Sequence, residues 1–346
     1  MKYKKLLLII CPPVWEKMPP LGIAYLCEYL KNCNYQPAVY DLNLHINNII
    51  DPKFTKDWTI NPAYSDPDFF NYSFNEFPGL FSDIVSIIRL KGIEHVGFSV
   101  FRSNRIFSIK TADFLKDTLP DIKIIFGGPE IFAMAADNKL KIRSVDYFVI
   151  GEGERSIIKI LEGTSDKVTS FLQLNTVDFF PKFKDFDLGL YKRPGSLPLL
   201  STRGCVNSCS FCLEHHLFKG YRQRDPQDII EEIKYHKNTG HTRRFTFYDS
   251  IFNGDLDNLD LLMELMIKNR LDIYWDAQIA INRSMDTGLM KKMKSAGCIN
   301  LFVGLESASQ KILNKMKKNF SRQDAHEFIL KLYKSGLQYE LSLILD

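Results

Sequence analysis

The amino-terminal half of the chain repeats a simple hydrophobic pattern. Each repeat has a short, nearly continuous apolar run, a turn rich in glycine or proline, and a stretch with apolar residues at helical spacing. Strands without polar alternation, separated by helices, are typical of a parallel sheet covered on both faces. The pattern therefore predicts an α/β domain with an open, doubly wound sheet over residues 1–165, with strands at 5–10, 36–42, 95–101, 122–128 and 145–154.

Residues 166–195 lose this periodicity and are predicted to form a linker between two domains. The alternation of strands and helices resumes over residues 196–346. Five strands joined by helices favour a partial (β/α) barrel or a second wound sheet. We predict strands at 197–202, 243–249, 272–279, 299–305 and 338–345, and helices at 226–238, 256–269, 286–296 and 309–334, the last interrupted near Asn319.

One segment within the first domain breaks the pattern. Residues 45–81 show no convincing period and are predicted to be an irregular insertion. A long irregular stretch is usually functional or disordered, and high aromatic content argues against disorder. The insertion is expected to cover a large flat ligand, to line a domain interface or to pack on itself, and the pattern leaves all three open. Its aromatic residues are Phe54, Trp58, Tyr64, Phe69, Phe70, Tyr72, Phe74, Phe77 and Phe81.

Composition places the chain among globular proteins. Its 346 residues are 45% apolar and 25% charged, which suffices for two ordinary cores. The net charge of +4 is too mild, and the basic residues too scattered, to indicate a nucleic-acid partner. The opening MKYKKLLLIIC resembles a signal peptide, but its apolar run is short and two prolines follow at once. Because the remaining cysteines are dispersed and no run is long enough to span a membrane, the sequence predicts a cytoplasmic protein.

The stretch STRGCVNSCSFCLEHH, residues 201–216, carries the candidate chemistry. Cys205, Cys209 and Cys212 lie within eight residues of one another, which is rare for cysteines that only fill a core. Three thiolates are one ligand short of a four-coordinate zinc site, and of the four-cysteine ligation usual for an iron–sulfur cluster. Either His215 or His216 completes a zinc site, or one metal position is left open; we favour the open position.

The motif C-x3-C-x2-C, with the aromatic Phe211 before its last cysteine, resembles that of the radical S-adenosylmethionine (radical SAM) superfamily. The resemblance implies that Cys205, Cys209 and Cys212 bind three irons of a [4Fe–4S] cluster, and that S-adenosylmethionine (SAM) binds the fourth. It further implies that this iron delivers an electron that breaks a carbon–sulfur bond of SAM to give a 5′-deoxyadenosyl radical. His215 and His216 would then lie outside the ligand set.

Three further segments resemble the SAM site of that family. They are FTFYDSIF after the second predicted strand of the second half, YWDAQIAINR in the third, and GCINLFVGLESASQKILNKMKK in the fourth. The last resembles the subgroup that includes cobalamin-dependent members. An acid at a strand end is more often a helix cap than a ligand, and for Asp249 the two roles are about equally expected. The resemblance implies SAM contacts at Tyr248, Asp249, Ser250, Gln278, Arg283, Gly304, Glu306 and Ser307.

The first half resembles the cobalamin-binding domain of the same subgroup, which has a Rossmann-like or flavodoxin-like fold. The segments CPPVWEKMPPLGIAYLCEYL, VGFSVFRSN, GGPE and VIGEGE carry this resemblance. Neither His45 nor His95 lies in the D-x-H-x-x-G pattern that supplies a cobalt ligand elsewhere, so bound cobalt is expected to lack a histidine from this chain. Each glycine in these segments is also expected at an ordinary tight turn. The resemblance implies cobalamin contacts at Pro20, Ser99, Asn104, Gly127, Gly128, Gly151, Glu152 and Gly153.

The resemblance therefore implies a radical SAM enzyme that uses cobalamin to methylate an unactivated carbon of a small-molecule substrate. It also implies an electron donor such as a flavodoxin or ferredoxin. Two alternatives stay open: a cyclase or rearrangement enzyme of the same subgroup, and a non-catalytic zinc- or cofactor-binding protein. The chain ends at ELSLILD, where the family's barrel continues, so the barrel is expected to be incomplete at its carboxyl end.

Overall fold

The computed structural model describes residues 5–55, 58, 67–170, 172–240 and 242–345. The chain divides into two compact units. Unit 1 comprises Met1–Leu174 and Pro181–Pro194, and unit 2 comprises Asn175–Phe180 and Gly195–Asp346. The segment predicted as a linker is therefore divided between the two units, and it contains a short strand.

In the described part of unit 1, six parallel strands form sheet A. They are β1 (Lys5–Ile10), β2 (Gln36–Asp41), β3 (His95–Ser99), β4 (Lys123–Gly127), β5 (Tyr147–Ile150) and β6 (Val168–Ser170). The strand order is β2-β1-β3-β4-β5-β6, which reverses direction between β1 and β3. This order confirms the predicted doubly wound fold. It places the ligand crevice typical of such sheets beyond the carboxyl ends of β1 and β3.

Helices provide the crossovers that parallel strands require. They are α1 (Leu21–Asn32), α2 (Leu42–Ile49), α3 (Pro67–Glu76), α4 (Pro78–Lys91), α5 (Arg105–Thr118), α6 (Pro129–Ala136) and α7 (Glu154–Glu162). The inner strands β1, β3, β4 and β5 are mainly apolar because both faces of the sheet are covered there. Leu7, Ile9, Phe126 and Phe148 are accordingly fully buried.

The prediction of an irregular insertion at 45–81 was wrong. Helix α3, the end of α2 and the start of α4 occupy most of its described residues, whereas Tyr64 lies outside the described residues. Helix α3 carries buried Phe69 and Phe70 but exposes Tyr72, and aromatic residues on more than one face hide the helical period.

Most of the described aromatic side chains of this segment belong to the core of unit 1 or pack against it. The Phe70 ring lies 5.1 Å from that of Phe107 on α5, and the Phe74 ring lies 5.2 Å from that of Phe114 on the same helix. Phe81 on α4 is fully buried among them. These rings pack against α5 within unit 1.

In the described part of unit 2, five parallel strands form sheet B. They are β7 (Ser196–Leu199), β10 (Arg244–Phe247), β11 (Tyr274–Ile279), β12 (Cys298–Glu306) and β13 (Tyr339–Leu343). Each strand lies beside its successor, which is the order of a (β/α) barrel segment and confirms the predicted partial barrel. A separate antiparallel ribbon joins β8 (Thr202–Arg203) to β9 (Arg222–Gln223).

The helices of unit 2 are α8 (Glu214–Leu217), α9 (Pro226–Asn238), α10 (Leu256–Lys268), α11 (Thr287–Ser295), α12 (Gln310–Lys315) and α13 (Arg322–Ser335). The predicted interruption near Asn319 is confirmed, because residues 316–321 separate α12 from α13. One face of sheet B is buried, as at Phe247, Trp275 and Val303. On the other face Gln278 and Phe302 are exposed, whereas Asp276 is buried.

Among the described residues, we find no helix whose length and apolar character would let it cross a membrane.

Candidate functional site

The three motif cysteines lie on a loop, residues 204–220, whose two ends lie next to each other. We call it the cysteine loop. The ribbon of β8 and β9 brings its two ends together. Gly204 has φ +82°, and a Cβ there would lie 2.2 Å from the carbonyl oxygen of Gly220. Only glycine permits this approach of two backbones. The loop therefore begins and ends at a fixed point beyond the first strand of sheet B.

The thiols of the cysteine loop are half-buried and close enough to influence one another. Burial raises the pKa of Cys205 and of Cys212, and the charge of Cys209 raises both further. The backbone N–H of Asn207 donates to the Cys205 sulfur at 3.4 Å. Among the described residues, no three Cys, His, Asp or Glu side chains already converge on one point as a metal site. The donor set fits a thiolate-binding metal group.

The residues that lead into the cysteine loop are held by Asp249, which follows β10. One carboxylate oxygen, Oδ1, accepts hydrogen bonds from the backbone N–H groups of Ser201 and Thr202 and from both hydroxyls. The second oxygen, Oδ2, is buried without a hydrogen-bond partner among the described residues. Asp249 thus joins the ends of β7 and β10, and it does not cap α10, whose N-cap is Asp255.

A second buried group supports the same backbone from the other side. Arg224 donates to the carbonyl of Leu200 at 2.7 Å and to Glu232 of α9 at 2.5 Å. Both side chains of this ion pair are almost fully buried. Burial raises the pKa of Glu232 to about 7, and the charge of Arg224 acts in the opposite direction. Removal of one partner from such a pair costs roughly 3–5 kcal/mol, so the base of the loop is rigid.

The turn between α12 and α13, residues 316–321, holds the far side of the cysteine loop. Ser210 donates from its backbone N–H to Met316 O at 3.1 Å and from its hydroxyl to Lys315 O at 3.0 Å. The Asn319 amide donates to Asn207 Oδ1 at 2.9 Å. The three cysteines therefore lie on a loop that is fastened at its base and along its edge.

The end of β12 contributes an ion pair next to this turn. Glu306 has the left-handed φ of +64°, and its carboxylate accepts hydrogen bonds from Lys318 at 3.1 Å and Ser342 at 3.3 Å. Both side chains of the Glu306–Lys318 pair are about 10% exposed. A non-glycine residue in this conformation costs on the order of 1–3 kcal/mol and is common at functional sites. A Cβ at Gly304 would lie 3.1 Å from Glu306 Oε1, so glycine leaves room for the pair.

A cavity of about 220 Å³ opens beside the cysteine loop. Its wall is formed by Val206 and Asn207 of the loop, by residues following β10 and β11, and by Asn319 of the α12–α13 turn. The predicted residue Arg283 lies in this wall, next to Asn282 and Ser284. Loops at the carboxyl ends of neighbouring strands thus enclose one polar pocket beside the thiols, as expected for a barrel active site.

At the carboxyl edge of sheet A, the side chain of Asn104 joins two strands. It is fully buried, donates to Cys11 O at 3.0 Å and to Ser99 O at 3.1 Å, and accepts from Phe101 N at 2.7 Å. It therefore joins the ends of β1 and β3 at the point where the strand order reverses. Gly128 has φ +101°, and a Cβ there would lie 2.6 Å from Val100 O.

The comparison with known families decides the class of unit 2. A family model described as the radical SAM superfamily matches residues 199–345, which include the cysteine loop and strands β10 to β13. This region belongs to the radical SAM superfamily. Radical SAM proteins as a class use a [4Fe–4S] cluster and SAM, which suits the three-thiol donor set.

Related proteins extend the likeness to the whole chain. An uncharacterized methyltransferase of Pyrococcus horikoshii is 25% identical, covering 97% of this chain and 73% of the relative. The structure of OxsB, a cobalamin-dependent SAM radical enzyme with aqua-cobalamin and SAM bound, matches 99% of this chain with TM-score 0.76 at 16% identity. TsrM from Kitasatospora setae, a radical SAM methyltransferase with cobalamin and a [4Fe–4S] cluster bound, matches 99% with TM-score 0.69 at 15% identity. The chain spans 49% of OxsB and 69% of TsrM, and at these identities the likeness shows the fold.

The radical SAM region brings most of the predicted SAM contacts to one edge of sheet B. Tyr248, Asp249 and Ser250 follow β10, Gln278 and Arg283 lie at or after the end of β11, and Gly304, Glu306 and Ser307 lie at the end of β12. The Ser250 hydroxyl donates to Glu214 at the start of α8, which ties β10 to the cysteine loop. Whether each residue contacts SAM stays a prediction.

Sequence reasoning missed three residues that shape this radical SAM site. Lys318 pairs with Glu306, Arg224 supports the base of the loop, and Glu214 binds Ser250. Lys318 is the last residue of the fourth-strand segment quoted above. No feature of the neighbouring sequence indicates that its ammonium group is buried. Arg224 and Glu232 lie eight residues apart and gave no signal of a buried pair.

Replacing Asp249 by asparagine should change how stability depends on pH. Burial raises the pKa of Asp249 from its usual 3.8 to about 6, against hydrogen bonds from Thr202 and Ser201 that lower it. The folded protein binds the Asp249 proton more tightly than the unfolded chain does. The contribution of this proton to the unfolding free energy is therefore fully present below about pH 4 and is lost as the pH rises through 6. We expect the unfolding free energy of Asp249→Asn, relative to the parent, to rise by on the order of 2–3 kcal/mol between pH 4 and 7.

Urea unfolding at pH 4, 5.5 and 7 measures this difference. Asp255→Asn serves as the control, because the hydrogen bond from Asn258 N lowers the pKa of Asp255. The unfolding free energy of Asp255→Asn, relative to the parent, should therefore fall as the pH rises. A difference between Asp249→Asn and the parent that does not vary with pH would contradict the assignment.

Proposed function

We propose that this protein is a radical SAM enzyme that cleaves SAM reductively and, with cobalamin bound to unit 1, methylates an unactivated carbon of a small molecule. The observation that carries this proposal is the cysteine loop. It presents three half-buried thiols at the carboxyl end of sheet B, beside a polar cavity, within a radical SAM region. Barrel active sites assemble at that end of the strands.

In this proposal Cys205, Cys209 and Cys212 hold three irons of the cluster. The Asn207 N–H that already donates to the Cys205 sulfur would stabilise its thiolate. A cluster held by these residues would supply the electron that breaks a carbon–sulfur bond of SAM.

We assign SAM binding to the edge of sheet B next to the loop. Arg283 faces the cavity and suits the SAM carboxylate, whereas the buried Oδ2 of Asp249 suits a nearby ammonium or hydroxyl group. Glu306 and Ser307 would meet the ribose or carboxylate, with Gly304 leaving space at the strand. Tyr248, Ser250 and Gln278 complete the proposed set. Asp249 would act chiefly by holding Ser201 and Thr202, since its other oxygen is already occupied.

We assign cobalamin to the crevice of unit 1. Support comes from the strand order of sheet A and from the cobalamin present in OxsB and TsrM. Asn104 and Gly128 would shape the crevice through their backbone contacts. His95 begins β3, at the opposite end of that strand, whereas His45 lies on α2, just after the carboxyl end of β2. The remaining proposed contacts are Pro20, Ser99, Gly127, Gly151, Glu152 and Gly153.

Anaerobic SAM cleavage tests the proposal. The whole chain would be reconstituted with iron and sulfide, supplied with hydroxocobalamin, and incubated with SAM and dithionite as a one-electron reductant; a flavodoxin or ferredoxin would replace dithionite in a second assay. We expect 5′-deoxyadenosine and methionine to form and about one cobalt to remain bound per chain after gel filtration. Intact SAM in a protein that holds one zinc and no iron would overturn the proposal in favour of a zinc-binding protein. Cleavage without retained cobalt would overturn its cobalamin part alone.

A further inference from the structure

Lys318 occupies an unusual position for a lysine in unit 2. Its side chain is about 10% exposed, although lysine usually keeps its ammonium group in water. The Nζ atom donates to Glu306 Oε1 at 3.1 Å and to Gly304 O at 3.3 Å. It also lies 5.4 Å from the centre of the Phe211 ring, within the range of a cation–π contact. One cation therefore links the end of β12 to the residue immediately before Cys212.

We propose that Lys318 is a positioning residue that fixes the cysteine loop against β12 and makes a cluster held by that loop easier to reduce. The inference rests on the proposed function, because it concerns the cluster assigned to Cys205, Cys209 and Cys212. It adds a residue to which neither the motif nor the family match gives a role.

The positioning part follows from the contacts of the α12–α13 turn. Lys318 lies between Met316 and Asn319, which hold the loop at Ser210 and Asn207 through hydrogen bonds. Those hydrogen bonds hold the loop against the α12–α13 turn, and the contact between Lys318 and Phe211 holds the loop near the end of β12. Loss of the ammonium group would leave Glu306 buried without its partner.

The redox part follows from the added charge. One-electron reduction makes a cluster more negative, and the potentials of iron–sulfur clusters depend on net charge, hydrogen bonds and exposure. A buried cation next to Cys212 would stabilise the reduced form, with little screening by salt. Glu306 offsets this effect only in part, because its carboxylate also accepts a hydrogen bond from Ser342, whereas the ammonium group also lies against the Phe211 ring of the loop.

Redox titration of the anaerobically reconstituted whole chain, followed by low-temperature electron paramagnetic resonance, tests the inference. In Lys318→Met the equilibrium constant for reduction should be roughly tenfold lower, which corresponds to a midpoint potential about 59 mV more negative for a one-electron couple. Lys318→Arg should keep the parent potential, since it retains the charge. Glu306→Gln should shift the potential in the positive direction, because it leaves the cation uncompensated. Lys317→Met is the matched control, since it removes an exposed charge from the adjacent residue and should leave the potential unchanged.

The possible outcomes separate this inference from the proposed function. A parent chain that takes up no iron–sulfur cluster would overturn both. A loaded Lys318→Met protein with the parent potential would overturn the role of Lys318 and leave the proposed function standing. If Lys318→Met cannot be loaded, Glu306→Gln decides: a positive shift supports the role of Lys318, and an unchanged or more negative potential overturns it.

Discussion

The Cys209→Ala variant should be purified without an iron–sulfur cluster. Cys209 is the middle thiol of the loop, and two thiols would leave two irons without a protein ligand. We expect iron and sulfide to fall from near four per chain in the reconstituted parent to less than about one, with loss of the brown colour and of SAM cleavage. Chemical iron and sulfide assays on anaerobically prepared protein measure the effect.

The same assay needs a control for the mere loss of a thiol. Cys33, at the C-cap of α1, is also partly exposed and lies in unit 1. Cys33→Ala should retain the full iron and sulfide content of the parent. Full retention of iron and sulfide in Cys209→Ala would contradict the ligand assignment.

Replacing Gly204 by alanine should destabilise unit 2 and impair cluster assembly. The new methyl group would lie 2.2 Å from Gly220 O and 3.3 Å from Phe218 Cβ, in a backbone with φ +82°. Strain of this backbone conformation costs on the order of 1–3 kcal/mol, and the collision with backbone adds to it because neither chain can move freely. We expect a loss of at least about 3 kcal/mol in unfolding free energy and a marked fall in bound iron.

Gly220→Ala separates the collision from the conformational strain. Gly220 has nearly the same φ, +79°, but a Cβ there would meet nothing within 4 Å. This variant should lose only about 1–2 kcal/mol and should still bind iron. Urea unfolding and iron assays on both variants provide the comparison, and equal losses would contradict the closure of the loop at Gly204.

The sheets could be predicted from the sequence because their inner strands are short apolar runs. Strand β1 has the predicted bounds, and helix α9 also matches its prediction from Pro226 to Asn238. The ribbon of β8 and β9 could not be predicted, since a strand of two residues has no period. The sequence marks this ribbon only by Gly204 and Gly220. Their role becomes clear only in the structure, where two backbone segments sixteen residues apart in the sequence approach each other.

The candidate site was predictable as a set of residues more than as a set of contacts. The spacing of the cysteines identified the loop, and the fold confirmed that it follows the first strand of sheet B. The sequence did not show that Asp249 turns back to Ser201 and Thr202. Nor did it show that Lys318 turns inward to Glu306, because both contacts join distant segments. Local pattern predicts where strands end, whereas packing decides which side chains meet there.

The most direct test of the account is the metal content of the anaerobically prepared chain, together with electron paramagnetic resonance of the reduced protein before and after SAM is added. Three thiols with one open iron predict near four irons and four sulfides per chain, almost no zinc, and a reduced-cluster signal that SAM changes. One zinc per chain, no iron and no signal would contradict the account, because the cysteine loop would then be a structural metal site.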